Sequence, residues 1–151
     1  MFLDKINKIC KIGKWRGATA ESGGVGEWRS WEVTNAEFRE VLEERTAQYA
    51  VEVFKYLREL PYDVSTKVIA HQLGKSASSI GANYHEANRS ESRDDFVHKV
   101  AIAVKEANES CYWFKVLRGL CGSNERIEAL AKETGELRNL LQSILKSARS
   151  C

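Results

Sequence analysis

The sequence predicts an all-α fold, an antiparallel up-down-up-down four-helix bundle, from three observations. Pro61 is the only proline in 151 residues, and proline is excluded from helix interiors. Four segments after Thr34 carry apolar residues at helical spacing. The connections between them are short, which makes antiparallel neighbours the natural arrangement. Composition agrees: 43% apolar and 29% charged residues suit one soluble domain large enough to bury its own core.

The chain divides into an N-terminal arm with a Gly-rich linker, residues 1–33, and the bundle, residues 34–151. In the arm, Phe2, Leu3, Ile6, Ile9 and Cys10 share one side of a short helical pattern, and Lys5, Lys8, Lys11 and Lys14 the other. Two readings stay open there, a basic interfacial helix or an arm packed on a neighbour. The second is favoured, because isolated helices this short are marginal in water. Gly13, Gly17, Gly23, Gly24 and Gly26 mark the linker. Exposed Trp is uncommon, so some of Trp15, Trp28 and Trp31 are expected to dock on the helical body or on another subunit.

The first bundle helix starts near Thr34, where Thr34-Asn35-Ala36-Glu37 fits a capping box. Its core stripe is Phe38, Val41, Leu42, Tyr49, Val53, Tyr56, Leu57 and Leu60. Glu40, Glu43, Glu44, Glu52 and Glu59 fill the solvated side, and Pro61 ends it. The second helix runs from Asp63 or Ser65 to about Ala87, burying Val68, Ile69, Leu73, Ala77, Ile80, Tyr84 and Ala87. Gly81 costs up to about 1 kcal/mol against Ala in mid-helix, so a neighbouring backbone should come close there. Asn83 lies near the apolar face and is expected to be buried and hydrogen-bonded, fixing register.

After a polar elbow, Asn88–Ser92, the third helix opens with Asp94 and Asp95 in its first turn, where the helix dipole favours carboxylates. Phe96, Val100, Ala103, Ala107, Phe114 and Leu117 form one stripe, and Val97, Ala101, Val104, Asn108 and Cys111 a second beside it. A helix apolar over so wide an arc touches more than one neighbour, which points to oligomerisation. Gly119, Gly122 and Ser123-Asn124 form the next break. The last helix carries a heptad of Ile127, Leu130, Thr134, Leu137, Leu141, Ile144 and Ala148, with Lys146 and Arg149 at its C-terminus.

Charge and cysteine usage bound the function. A net charge of +2, from 23 basic and 21 acidic side chains, is too balanced for a strongly basic nucleic-acid footprint. Cys10, Cys111, Cys121 and Cys151 have no C-x-x-C spacing and read as reduced thiols in a cytoplasmic protein. No segment approaches the roughly 20 apolar residues of a membrane span, and Asp4, Lys5, Lys8 and Lys11 interrupt any secretory apolar run.

Chemical motifs are sparse. Gly74-Lys75-Ser76 lacks the upstream glycine and the strand of a P-loop. Asp95-x-x-His98 is one isolated pair where a dimetal site needs two Glu-x-x-His pairs and two further carboxylates. No metal or other cofactor is expected. Arg93-Asp94-Asp95-Phe96-Val97-His98 resembles the Arg-x4-His signature of the HEPN ribonucleases. The resemblance would make His98 an acid or base at a 2′-hydroxyl and Arg93 a phosphate clamp.

A more specific resemblance covers Gln72 to Trp113. The run Gln72-x3-Ser76-Ala77-x-Ser79-Ile80-x-Ala82-Asn83-x2-Glu86 is followed by Asp95-Phe96-x2-Lys99 and by Lys105-Glu106-Ala107-x-Glu109-x2-Tyr112-Trp113. Together these resemble the four-helix-bundle family of the 23S rRNA intervening-sequence proteins. That family is related to the accessory variability protein of diversity-generating retroelements, which binds nucleic acid and a reverse transcriptase. The resemblance implies a homopentameric ring, with Asn83, Glu86, Glu106, Glu109, Tyr112 and Trp113 holding the bundle or the subunit interface together. The chain departs from the family pattern where basic residues after Gln72 shrink to Lys75 and where Gly81 replaces a common proline.

The expected function is therefore a non-enzymatic homo-oligomeric scaffold that binds RNA or DNA through a basic face of the ring. Lys67, Lys75, Arg89, Arg93, Lys99 and Arg118 are its candidate phosphate contacts. Between Tyr62 and Cys121 there are 8 basic and 7 acidic residues, so binding requires these cations to cluster. The alternatives are a protein-binding adaptor, for example for a reverse transcriptase, and a ribonuclease using Arg93 and His98.

Overall fold

A computed structural model describes residues 35–150 of the chain. The arm with Trp15, Trp28 and Trp31, the capping box at Thr34, Cys10 and Cys151 lie outside the described residues. Four helices follow in order, α1 (Asn35–Leu57), α2 (Val64–Ala87), α3 (Arg93–Cys121) and α4 (Glu125–Arg149), with no strand among the described residues.

Side-chain oxygens on the preceding turns start three of these helices. Asp63 Oδ1 accepts from the amides of Ser65 at 2.7 Å and Thr66 at 2.9 Å, while Thr66 Oγ1 accepts from the Asp63 amide, a reciprocal capping box. Ser92 Oγ accepts from the Asp95 amide and Asn124 Oδ1 from the Ile127 amide. Gly122 ends α3 at φ +80°, a conformation that L side chains rarely adopt. The break is narrower than expected, because Gly119 remains helical and the chain turns only at Gly122–Asn124.

Each helix packs on its sequence neighbours and α1 closes on α4. The neighbours run antiparallel: Glu86 meets Lys99 beside the α2–α3 elbow, while Ser76 meets Ser110 halfway along. All seven heptad residues of α4 are buried, as are all six of the first α3 stripe. The α1 stripe is cut narrower than periodicity alone implies. Val41 is 53% exposed and, on α2, Val68 is 50% exposed, because both fall at the edge of the buried arc. Asn83 is half-buried and donates to Ser79 O on its own helix at 2.8 Å, so it fixes no register within the bundle. Glu43, read as solvated, accepts from Asn88 Nδ2 at 2.8 Å and ties α1 to the elbow.

One buried chain of hydroxyls crosses the bundle. Ser76 of α2 lies 2.8 Å from Ser110 of α3, Ser110 hydrogen-bonds to Tyr49 of α1, and Tyr49 Oη lies 2.7 Å from Thr134 Oγ1 of α4. Thr134 donates to the Leu130 carbonyl at 2.7 Å, so Tyr49 donates to Thr134, while the one proton of Ser76 has both the Leu73 carbonyl, at 3.3 Å, and Ser110 Oγ within reach. Burial raises the Tyr49 phenol above its ordinary range, which keeps that proton in place.

The close approach expected at Gly81 is present. A Cβ there would lie 3.1 Å from Thr46 Oγ1 and 3.2 Å from Thr46 Cβ. Thr46 is buried and its hydroxyl is already committed to the Leu42 and Glu43 carbonyls, so it has nowhere to move. A Cβ on Gly74 would lie 2.9 Å from Phe54 Cε1, but that ring is 46% exposed and can swing outward. Around Gly135 a Cβ would meet nothing within 4 Å.

Denaturant unfolding of three alanine variants should therefore rank them by neighbour and not by helix propensity. Gly81→Ala should lose about 1 kcal/mol or more to overpacking, Gly74→Ala should change little, and Gly135→Ala should gain roughly 0.5–1 kcal/mol. In the same assay Tyr49→Phe, which removes the hydrogen bond to Thr134 of α4, should cost about 1–3 kcal/mol. Equal effects at the three glycines, or a neutral Tyr49→Phe, would contradict these assignments.

Candidate functional surface

Four of the six cations expected to meet phosphate are engaged by the fold itself. Arg89 Nη1 donates to Glu43 Oε1 at 2.9 Å and to the His85 carbonyl at 2.8 Å. Lys99 pairs with Glu86, and Arg118 Nε lies 3.3 Å from Glu128 Oε1. Arg93 donates through Nε at 3.0 Å and Nη2 at 2.7 Å to the Ala148 carbonyl, one of the last-turn α4 carbonyls that lack a helical partner. Burial raises the pKa of Glu43, but hydrogen bonds from Arg89 and Asn88 outweigh it and hold the carboxyl below its ordinary value. These pairs join residues 10 or more positions apart, or a side chain to a backbone, and no local spacing announces them.

Lys67 and Lys75 remain, with no ion pair among the described residues. Lys67 Nζ stands 5.9 Å from the centroid of the Tyr62 ring, and Tyr62 is 87% exposed at the α1–α2 turn. With His71 between them, Lys67 and Lys75 form an exposed i, i+4, i+8 row on α2. Of the six expected phosphate contacts, the two left without an ion pair thus form a short row with one aromatic beside it.

Arg93 and His98 are not drawn into one site in a single chain. Five residues turn a helix by about 140°, and His98 is exposed on α3 while the Arg93 guanidinium is bound to the end of α4. Among the described residues no group of three His, Cys, Asp or Glu side chains could hold a metal ion.

The other candidates share one seam. On α3, Asp95, Lys99, Ile102, Glu106, Glu109, Trp113 and Val116 recur at 3- and 4-residue steps, and every one is half-buried. Gln72, Ser79 and Asn83, also half-buried, line the facing edge of α2, with the exposed Glu86 beyond them. Sequence periodicity located a second α3 stripe on the side facing α4, but not this one, because lysine and glutamates interrupt its apolar members. Trp113 Nε1 donates to Glu109 Oε1 at 3.3 Å, and its ring meets Tyr112 edge-on at 5.2 Å between centroids. Burial, and then the Glu109 charge, raise the Glu106 pKa, with Lys75 and Lys105 opposing.

A raised carboxyl pKa means that the folded chain holds the ionised form less well than the unfolded chain does. Glu106 therefore subtracts stability at neutral pH, and this loss disappears as the pH falls below the ordinary carboxylate value of 4.5. Thermal melts should show Glu106→Gln more stable than the parent near about pH 7, with the gain shrinking toward about pH 4. A gain that is independent of pH would assign the effect to packing instead.

Comparison with known proteins agrees with this architecture. The sequence profile described as 23S rRNA-intervening sequence protein matches residues 41–143, more than half of the chain. A crystal structure of a protein with unknown function from the S23 ribosomal protein family of Bacteroides thetaiotaomicron is similar, at 35% identity and a TM-score of 0.65. That alignment covers 72% of this chain and 97% of the other. No curated protein matches the chain. The profile match over α1–α4 and the likeness to that structure together place the chain in the 23S rRNA-intervening sequence protein family.

Proposed function

We propose that the protein is a non-enzymatic scaffold whose copies assemble through the α2–α3 seam and present the Lys67–Lys75 row to RNA or DNA. The observation that carries this proposal is the seam itself. Its half-buried run from Asp95 to Val116 sets Ile102, Trp113 and Val116 among four charged side chains at the solvent boundary, a mixture of apolar and polar groups that suits contact with a second copy. A closed ring, of five copies as the family resemblance implies, needs two different complementary patches on each copy. The outer side of α1, where Val41 and Val51 stand 53% and 45% exposed, supplies the second.

Nucleic-acid affinity in this proposal comes from repetition. Lys67, His71 and Lys75 offer few phosphate contacts per chain, but ring closure repeats them and raises their effective concentration. Tyr62 adds a face on which an unpaired base can stack. The alternative of a ribonuclease at Arg93 and His98 has less support, because the Arg93 guanidinium is already bound to Ala148 O.

Light scattering should give a mass near five chains for the parent protein and one chain for Ile102→Asp or Val51→Asp. Gel shifts with single-stranded RNA at low salt should show binding that is lost in a Lys67→Glu, Lys75→Glu double variant and kept in Arg118→Gln. A monomeric parent would remove the assembly, and unchanged binding by the double variant would remove the assigned surface.

A further inference from the structure

Charge alone leaves open which form of nucleic acid the Lys67–Lys75 row takes, and the side chain that can decide it is Tyr62. Among the described residues Tyr62 is the most exposed large apolar side chain, at 87%, and it stands on the turn between α1 and α2. That turn is anchored on both sides of the ring. Before it, the Pro61 carbonyl accepts from Thr66 Oγ1, and after it Asp63 Oδ1 accepts from the amides of Ser65 and Thr66. Thr66 itself is buried. The ring is therefore presented to solvent on a backbone with little freedom left to lose, which lowers the cost of using it as a contact.

The surroundings of the ring suit one kind of ligand. Lys67 Nζ lies over one face, 5.9 Å from the centroid, and Lys67, His71 and Lys75 continue from there along α2 for about 12 Å. The two carboxylates nearest in sequence are already engaged, Asp63 with the amides that it caps and Glu59 with Arg126 Nη1 at 2.6 Å. A flat face beside a line of cations matches an unpaired nucleotide, in which a base and its phosphate are joined through one sugar. A base that is paired and stacked has no free face to offer, so a duplex can reach the cations but not the ring.

We propose that Tyr62 is a stacking platform that makes this surface selective for single-stranded over duplex nucleic acid. This selectivity rests on the Lys67–Lys75 row being the nucleic-acid surface and adds the class of strand that it takes.

Fluorescence anisotropy of the full-length chain at low salt, with a labelled uridine-only RNA and the same RNA annealed to its adenosine complement, tests this. The duplex carries more phosphates per unit length, so charge alone favours it and a preference for the single strand must come from the bases. The single strand should bind about tenfold more tightly than the duplex, and Tyr62→Ala should remove that advantage while leaving duplex affinity within about twofold. Tyr62→Phe, which keeps the aromatic face, should retain the preference. Because the side chain is exposed, Tyr62→Ala should leave the melting midpoint within about 2 °C, so that lost binding reports the contact and not the fold. Equal binding of both probes by the parent, or an unchanged preference in Tyr62→Ala, would overturn the selectivity and leave the Lys67–Lys75 surface standing. Absence of binding to either probe would remove the surface and the selectivity together.

Discussion

The hydroxyl chain from Ser76 through Ser110 and Tyr49 to Thr134 is the constraint on which the other packing depends. Each link comes from a different helix, each is buried, and each hydroxyl has one proton to give. Apolar seams built from repeated Leu, Ile and Ala tolerate a slip of one turn with modest loss. Buried hydroxyls do not, because a slip leaves donors and acceptors unmatched in a medium without water. The chain therefore selects one register among several that the apolar pattern alone would accept. It also accounts for the uneven spacing of the bundle. Small residues at Ser76, Ala77 and Gly81 let α2 lie close to its neighbours. The looser α1–α4 seam is spanned by long side chains, namely Tyr49, Arg45 to Glu133 at 2.7 Å, and Arg126 to Glu59 at 2.6 Å.

How much of this was legible in the sequence depended on whether a feature is local. The α4 heptad was read completely, since seven residues at regular spacing report one face with no help from tertiary structure. The elbow at Asn88–Ser92 was equally plain, whereas the start of α2 was bracketed only at Asp63 or Ser65 and its cap at Asp63 was not named. Val41 and Val68 were misplaced because a periodic stripe gives the centre of a buried arc more sharply than its edge. Ser76 and Ser110 could not be paired from sequence: short polar residues inside helices carry no signal of what lies opposite. The same applies to Arg89 and Glu43, 46 positions apart. An inventory of cations therefore overstated the surface available to phosphate.

That overstatement bears on function. Arg89, Lys99 and Arg118 each have a carboxylate partner, and Arg93 closes the end of α4. A phosphate drawn to any of them would compete with an interaction already made, with little net gain. Among the described residues Lys67 and Lys75 form no ion pair, although the Lys75 charge reaches Glu106, so the row they form with His71 is a surface open to a polyanion in the proposed function. A row so small binds weakly alone. In the proposed function, recognition at useful affinity would require several copies held in fixed relation, which would make assembly part of binding.

The seam on α3 shows why assembly is feasible although its members include glutamates. Charged groups usually oppose association because they must lose water on contact, and that penalty is large for a carboxylate with no partner. Glu106 has already lost part of its hydration within the single chain, as its raised pKa records. Trp113 engages Glu109 before any neighbour arrives, and Lys99 engages Glu86. The folding of one copy thus supplies some of the desolvation and most of the pairing that an interface would otherwise demand. In the proposed ring, burial of the half-exposed Ile102, Trp113 and Val116 against the outer side of α1 would be the term left to drive closure.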